Sequence, residues 1–553
     1  MEVRSYSWIY TAALVLAGIS IALTGNVAAQ STGFVDVSTD TLEGSGTAAD
    51  PYLITNASEL QAMEDDLSAN YSLTRNIDAS GTASANNNRG FDPISTRIKD
   101  FSGSLDGNNH TVTGLTINRS NESAIGLIGK TTANASVVDI TLQDVSVNGL
   151  QNVGGLVGRN YGTVHNVRVV GQITGTTSVG GVVGANFEAG HIEQAKATGD
   201  VIGTPSDELV GGDTTVSSSR IGGIAGGNSG DIQNSTAASN VSGSQQLGGL
   251  TGSNSNGLVK NVTATGNVNG SEEAGGRGGS VRVGGLIGIN SGTIRGATAT
   301  GNVNGSFSVG GLIGINAGSI SFAKATGNVT GEDSVGGLTG QNRKGIIEHT
   351  FAVGAVSGSD SVGGLVGFQS LSGASTHNSY WDTEATGQST SDGNATGLTT
   401  DQMIGDAARN SMSEFEFETV WEIQPDDYPR LVSPPADTEA DDGSQTDSTP
   451  NVTLQNTSIT PASVSNTAST HTLLFTAVNV SADGTGSEYA DEFEVAFPEE
   501  VVLEDYEVVN IDAQYSDVDQ DGNTLSFSVS PRGGGITQVF VKLEVTLSPT
   551  NNQ

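Results

Sequence analysis

One phrase returns eight times along this chain: an aliphatic residue, Gly-Gly, a second aliphatic residue, then x-Gly-x-Asn. It starts at Val153, Val179, Ile221, Leu247, Val283, Val309, Val335 and Val362, and only the last copy ends in Gln369 instead of Asn. The starts lie 26, 42, 26, 36, 26, 26 and 27 residues apart. A period in the twenties is the signature of a solenoid, in which each coil is too small to bury its apolar face alone and must stack on its neighbours.

The minimal unit, 283–308, breaks at Gly/Asn/Ser corners into three runs, VGGLIGIN, TIRGATAT and NVNG. Short runs bounded by turn residues, with no 3.6-residue pattern, are strands. Stacked in parallel, such coils make a parallel β-helix, and about nine or ten of them at ~4.8 Å each give a rod ~45 Å long. The aliphatic residues at the first and fourth places, three apart, cannot share one face of a regular strand. A bend between them turns both inward, and Gly-Gly is expected to supply the backbone angles for it. The recurring Asn opens a corner that closes with Gly, and asparagines stacked at equivalent corners can form an amide ladder.

The excess in the 42- and 36-residue intervals falls at one phase of the repeat, in 204–220 and 271–282. Insertions at one corner project from one side of a solenoid, where loops commonly carry binding. Asp207, Glu208, Asp213, Arg220, Glu272, Glu273, Arg277 and Arg282 are therefore candidate contact residues. The competing reading is that both loops are tolerated surface insertions.

Around the repeats the chain divides by composition. Residues 1–29 read as a signal peptide, with Arg4 before an apolar core at 9–23 and Val27-Ala28-Ala29 before a cut at Gln30. An uncleaved N-terminal anchor is the alternative, and no later apolar run is long enough to span a bilayer. Residues 30–43 are expected to be a flexible N-terminus, and 44–123 an N-terminal cap with the first coils, including a short helix over 59–67 capped by Ser58. A tight turn is expected at 105–110 (LDGNNH). Residues 124–369 form the repeat region, and 370–432, with Tyr380-Trp381 and Trp421, its C-terminal cap, since open solenoid ends need covering. Residues 433–450 are an acidic, proline-rich linker, and alternating runs over 451–553 indicate a small antiparallel β-sandwich.

Charge and composition exclude several functions. Sixty acidic against 22 basic residues give a formal charge of −38, which repels phosphate backbones, so no nucleic-acid partner is expected. Acid spread through most segments predicts adaptation to molar salt, where the Debye length shrinks to ~3 Å. The chain has no cysteine, hence no disulfide framework and no thiolate metal site. Its six histidines are dispersed without ligand spacing, and no Gly-x-Ser-x-Gly elbow occurs, so no catalytic residues are assigned and a non-enzymatic role is expected. Asp517, Asp519 and Asp521 match the front of a calcium loop, but Ser528 stands at its twelfth position. An acidic hairpin turn is the preferred reading, with structural calcium the one cofactor to consider. Sixteen Asn-x-Ser/Thr sequons, among them Asn109, Asn118, Asn121, Asn134, Asn234, Asn261, Asn328 and Asn479, are glycosylation candidates in an exported chain.

The GGLxGxN phrase, followed by Gly-x-Ile and ATGxVxG, resembles the GLUG repeat of secreted, adhesin-like proteins. The flanks 46–60, 105–117 and 379–387 match the wider pattern, so the resemblance spans roughly residues 44–431. It implies a right-handed β-helix on an exported cell-surface or matrix protein, with an extracellular glycan or protein as partner. It implies no shared catalytic residues. A polysaccharide lyase or hydrolase on the same scaffold, and a purely structural envelope component, are the alternatives.

Overall fold

The computed structural model describes residues 38–432, apart from 96–98, 206–217, 272–280, 371 and 418, and the backbone of strands between 453 and 549. The segments read as signal peptide and linker lie outside the described residues. Each coil of the repeat region holds four short strands, for example Val281–Gly284, Ile287–Asn290, Thr293–Ala299 and Val303–Asn304. Each pairs in parallel with its counterpart one coil on: Val283 with Val309, Ile287 with Ile313, Ile294 with Ile320, Val303 with Val329. The architecture is a parallel β-helix. The VGGLIGIN run is two strands, not one, because the chain bends at Gly285 and Leu286. Strands after this bend form their own nine-stranded sheet, from Ile128–Lys130 to Val366–Gln369.

The bend itself uses no left-handed backbone angle. The glycine pair is not left-handed; the residue just before the leading aliphatic is. Ala124, Asn152, Ser178, Arg220, Gln246, Arg282, Ser308, Ser334 and Ser361 all have φ between 51° and 71°. The paired residues run from Thr177–Ser219 to Val179–Ile221, both strands passing over this residue together, so the left-handed position stays in register from coil to coil. The second glycine is there for space. A Cβ on Gly285 would lie 2.1 Å from the Gly311 carbonyl oxygen, and the same clash, at 2.1–2.2 Å, recurs for Gly181, Gly223, Gly249 and Gly311.

With the bend in place, first and fourth aliphatics both face inward: Val309, Leu312, Val335 and Leu338 are fully buried. Beside them runs the amide ladder. The Nδ2 of Asn160 donates to Oδ1 of Asn186 at 2.9 Å, and the chain continues through Asn228, Asn254, Asn290, Asn316 and Asn342 at 2.8–3.2 Å. Each of these Nδ2 groups also donates to a carbonyl at its own or the next corner, as Asn290 does to Gly292 at 3.1 Å. Gln369 accepts from Asn342 in the asparagine's place and takes a further bond from Thr376, which ends the ladder. All seven asparagines are buried. A buried amide with its donors and acceptor satisfied holds one register, since a slipped coil would leave it unpaired.

Short helices and aromatic side chains pack at the two ends of the stack. At the N-terminal end Asn56, not Ser58, caps the helix: its Oδ1 accepts from the backbone of Ser58 and Glu59 at 3.0 and 3.1 Å. The α-helix is Ala57–Gln61, passing into a 3-10 turn at Ala62–Asp65. The turn at 105–110 is a coil corner, since Ser104–Asp106 and Thr111–Thr113 each pair in parallel with the following coil. At the other end Trp381 lies over Gly364 and donates its Nε1 to the Gln388 carbonyl at 2.9 Å. The helices Thr400–Met403 and Gly405–Ser411 and the hairpin Trp421–Gln424/Asp427–Leu431 follow.

The chain separates into two compact units, Met1–Asp437 and Thr438–Gln553. The second holds two antiparallel sheets, one built on Ser469–Val480 and Thr537–Pro549, the other on Asp491–Ala496 and Thr524–Ser530. These are the two layers a sandwich requires.

Removing one rung tests the ladder. Asn254→Ala strips bonds to Asn228, Asn290 and Gly257 inside the core and is expected to cost about 2–4 kcal/mol. The exposed Asn269→Ala in the same coil should stay within about 0.5 kcal/mol. Gly285→Ala should be at least as damaging as the rung deletion, while Gly227→Ala, whose Cβ meets nothing closer than 3.8 Å, should be neutral. Denaturation midpoints of the four variants provide the comparison.

Candidate functional site

Both insertions leave from one corner of the coil. The first joins Lys196–Gly203 to Ser219–Gly222 and the second joins Val268–Gly270 to Val281–Gly284. Registers of Ser219 with Gln245 and Gln245 with Val281 set the two loops two coils apart, about 10 Å along the axis. Of the candidate contact residues, Arg220 (exposed) and Arg282 (half-buried) flank the loops, both in the left-handed column. Burial, with Arg343 nearby, lowers the pKa of the Arg282 guanidinium. Asp207, Glu208, Asp213, Glu272, Glu273 and Arg277 lie outside the described residues.

A second surface was not legible in the sequence. On the outer face of three successive strands, Thr163–His165, His191–Glu193 and Asp231–Gln233, two histidines and two carboxylates meet. Glu193 lies 3.3 Å from His165 Nδ1 and 3.6 Å from His191 Nε2, and His191 Nδ1 is 3.7 Å from Asp231. The contact with Asp231 is the main cause of a raised His191 pKa, while a bond from Asn234 to Glu193 at 3.0 Å holds that carboxylate below its usual range. Corners of unequal length hide this grouping: Asn160 is followed by its closing glycine after two residues, Asn186 after four.

Directly after these strands, at the next corner, lies an open groove of about 200 Å³ lined by Asn109, Asp139, Thr141, Asn166, Val167, Arg168, Gln194 and Lys196. Asp139, Asn166 and Gln194 form a second left-handed column, with φ of 52°, 49° and 53°. Asp139 accepts from Asn166 Nδ2 at 2.5 Å.

Toward the C-terminal end this second column changes character, to Phe322 and His349, still left-handed at 53° and 50°. Their rings stack at 5.1 Å, Arg295 sits over Phe322, and His349 meets Phe415 from the cap segment. Phe415 in turn stacks on Trp421 at 4.9 Å, and Lys324 donates to the Pro429 carbonyl at 3.2 Å. The cap therefore grips the outer face of the last coils as well as their end. Burial lowers the His349 pKa and pushes the Glu348 carboxyl up to about 7, against the pull of Arg295.

Among the glycosylation candidates, Asn109, Asn118, Asn121, Asn134, Asn234 and Asn328 are exposed and Asn261 is half-buried. Asn261 donates to Asn234, and Asn328 accepts from the backbone of Ala355 in the next coil. Asn479 falls in a strand described by its backbone alone. Of the calcium candidates Asp517 lies outside the described residues. Asp519–Asp521 pairs antiparallel with Thr524–Ser530, the backbone course of a hairpin. Among the described residues no three acidic or histidine side chains are grouped to hold a metal ion, and no helix is long and apolar enough to cross a membrane.

The fold is thus that of a repeat-built parallel β-helix, and comparisons with known proteins attach a motif to it. The GLUG motif matches residues 149–174, 175–202 and 243–269. Halomucin of Haloquadratum walsbyi is 38% identical over 138 residues, which is 24% of this chain and 2% of that protein. A Gly-rich membrane protein of Evansella cellulosilytica is 34% identical over 131 residues, 23% of this chain and 15% of that protein. The chain therefore spans only a small part of the length of these relatives. Among solved structures, the tailspike protein of E. coli bacteriophage HK620 in complex with pentasaccharide covers 86% of this chain and 80% of its own, at 13% identity and a TM-score of 0.22. A mutant of the same tailspike gives 0.24. Likeness at this level carries no argument.

The Glu348 environment makes a pH-dependent prediction. A carboxyl near pKa 7 in the fold and 4.5 unfolded contributes stability below 4.5 that is lost as pH rises through 7. His349 acts in the opposite sense, costing stability as pH falls below about 6.5. Glu348→Gln should therefore raise the thermal midpoint, followed by tryptophan fluorescence, at about pH 8, where His349 is neutral in both states. The gain should shrink toward about pH 5, and a gain larger at low pH would overturn the assignment.

Proposed function

We propose that this protein is an exported surface or extracellular-matrix protein of a salt-adapted organism, and that it acts without catalysis by presenting a β-helical rod for adhesion or envelope interactions. The observation that carries the reading is where the repeat spends its residues. Gly-Gly, the inward aliphatics and the ladder asparagines all serve coil stacking, while variation in repeat length is concentrated at one corner. Such a scaffold holds loops at a fixed spacing, which suits binding. The similarity to halomucin and to a Gly-rich membrane protein supports a surface location, and the halomucin match, from Haloquadratum, agrees with the charge of −38. The exposed sequons and the leader-like segment at 1–29 fit the same setting.

The second reading, a polysaccharide lyase or hydrolase, is favoured by one observation: Glu193 and Asp231 share an outer face with His165 and His191. Glycan cleavage uses paired carboxylates, one of them protonated. Here the bond from Asn234 lowers the Glu193 pKa, the opposite of what a general acid requires, which suits a structural ion cluster better.

Incubating the purified chain with acidic and neutral polysaccharides decides between the two. Retention without bond cleavage is the expected result, and cleavage abolished by Glu193→Gln would establish the enzyme instead. Deleting 206–217 or 272–280, which spares the flanking strands Ser219–Gly222 and Val281–Gly284, should weaken attachment to cell envelopes several-fold without lowering the unfolding midpoint, and unchanged attachment removes the loops from the interface.

A further inference from the structure

We propose that the groove bounded by Asn109, Arg168, Gln194 and Lys196 is a binding site for an acidic saccharide, one bearing carboxylate or sulfate groups. Arg168 and Lys196 occupy equivalent positions in adjacent coils, in direct register across parallel strands, so their Cα atoms are about 4.8 Å apart. Both are exposed, and among the described residues neither forms an ion pair or a side-chain hydrogen bond. In a chain with 60 acidic residues, two unpaired cations stacked side by side are set against the surrounding field. Their mutual repulsion is relieved when an anion lies between them.

The rest of the lining says what carries the charge. Among the described residues Asn109 and Gln194 also have side-chain amides without intramolecular partners, and Thr141 adds a hydroxyl; Val167 is the one aliphatic residue of the lining and Asp139 its one carboxylate. Amides and hydroxyls beside a cation pair match the many hydroxyls and single acidic group of a uronate or sulfated sugar. A peptide would need apolar pockets or a free strand edge, and here each strand is already paired on both sides: Arg168 with Thr141 and Lys196, Lys196 with Thr236. Of the nearby carboxylates, Asp139 lines the groove itself and accepts from Asn166, while Glu193 accepts from Asn234 and lies beside His165. The groove follows four successive coils, from Asn109 to Gln194, and a short oligosaccharide can run along it.

This site names a ligand class for the surface-rod reading, but binding in solution tests it whether or not the chain is exported. Calorimetric titration of the full chain would use a uronate oligosaccharide, a sulfated oligosaccharide, a neutral oligosaccharide of the same linkage, and oligoglutamate. One or both acidic sugars should bind, more weakly as salt rises, and the neutral sugar at least about tenfold more weakly. The exposed double variant Arg168→Gln/Lys196→Gln should lose at least about tenfold in affinity with an unchanged thermal midpoint. The control Arg343→Gln/Lys344→Gln removes the same charge elsewhere and should bind as the parent does. Equal binding of the neutral sugar, equal loss in the control, or no loss in the groove variant would each overturn the proposal. Oligoglutamate binding as tightly as the sugars would overturn the saccharide assignment.

Discussion

Every coil of this protein must bring its backbone against its neighbouring coils while turning corners sharply enough to close in as few as 26 residues. That closeness is the constraint from which the rest follows. At the Gly-Gly bend the carbonyl of one coil occupies the place a Cβ would take in the next, as Gly311 does over Gly285. No other residue leaves room there. Once the bends stack, the strands between them fall into register, their aliphatic residues form continuous interior columns, and almost every backbone group on the flanks finds a partner in a neighbouring coil.

Close stacking alone does not select a register, because aliphatic columns tolerate shifts. The buried amides do. Each ladder asparagine accepts from the preceding coil and donates to the following one, so its bonding is complete only when three coils are aligned. The ladder must also end, and it does so chemically: Gln369 takes the next amide position and Thr376 satisfies its oxygen. Aromatic side chains then cover the same end, with Trp381 over the glycine column and Phe415 and Trp421 against the outer face.

Much of this was readable from residues. The period gave parallel coils, the spacing of Val309 and Leu312 required a bend, and the repeated Asn suggested the ladder. What misled was local chemistry. Gly-Gly suggested unusual backbone angles, yet the left-handed residue lies two places before the pair, and side chains as different as Arg220, Gln246 and Ser308 all adopt it because the stack on both sides demands it. Ser58 resembled a helix cap, but Asn56 has the extended backbone that aims its side chain at the free N–H groups. The left-handed Phe322 breaks the usual residue preference outright, and around it and His349 pack Arg295 and the cap segment.

The sequence by itself determined the kind of structure this is: a period too short for a domain, with glycine and asparagine at fixed phase, admits only stacked coils. It also placed both insertions at one corner. Tertiary structure alone decided which surface residues become neighbours. Residues adjacent across coils are 26 to 42 positions apart, and corners of two, three or four residues shift their phase, so no spacing rule brings Glu193 to His165 or Lys196 to Arg168. Stacking at about 4.8 Å converts those distant positions into one surface, and on that surface any binding chemistry must lie.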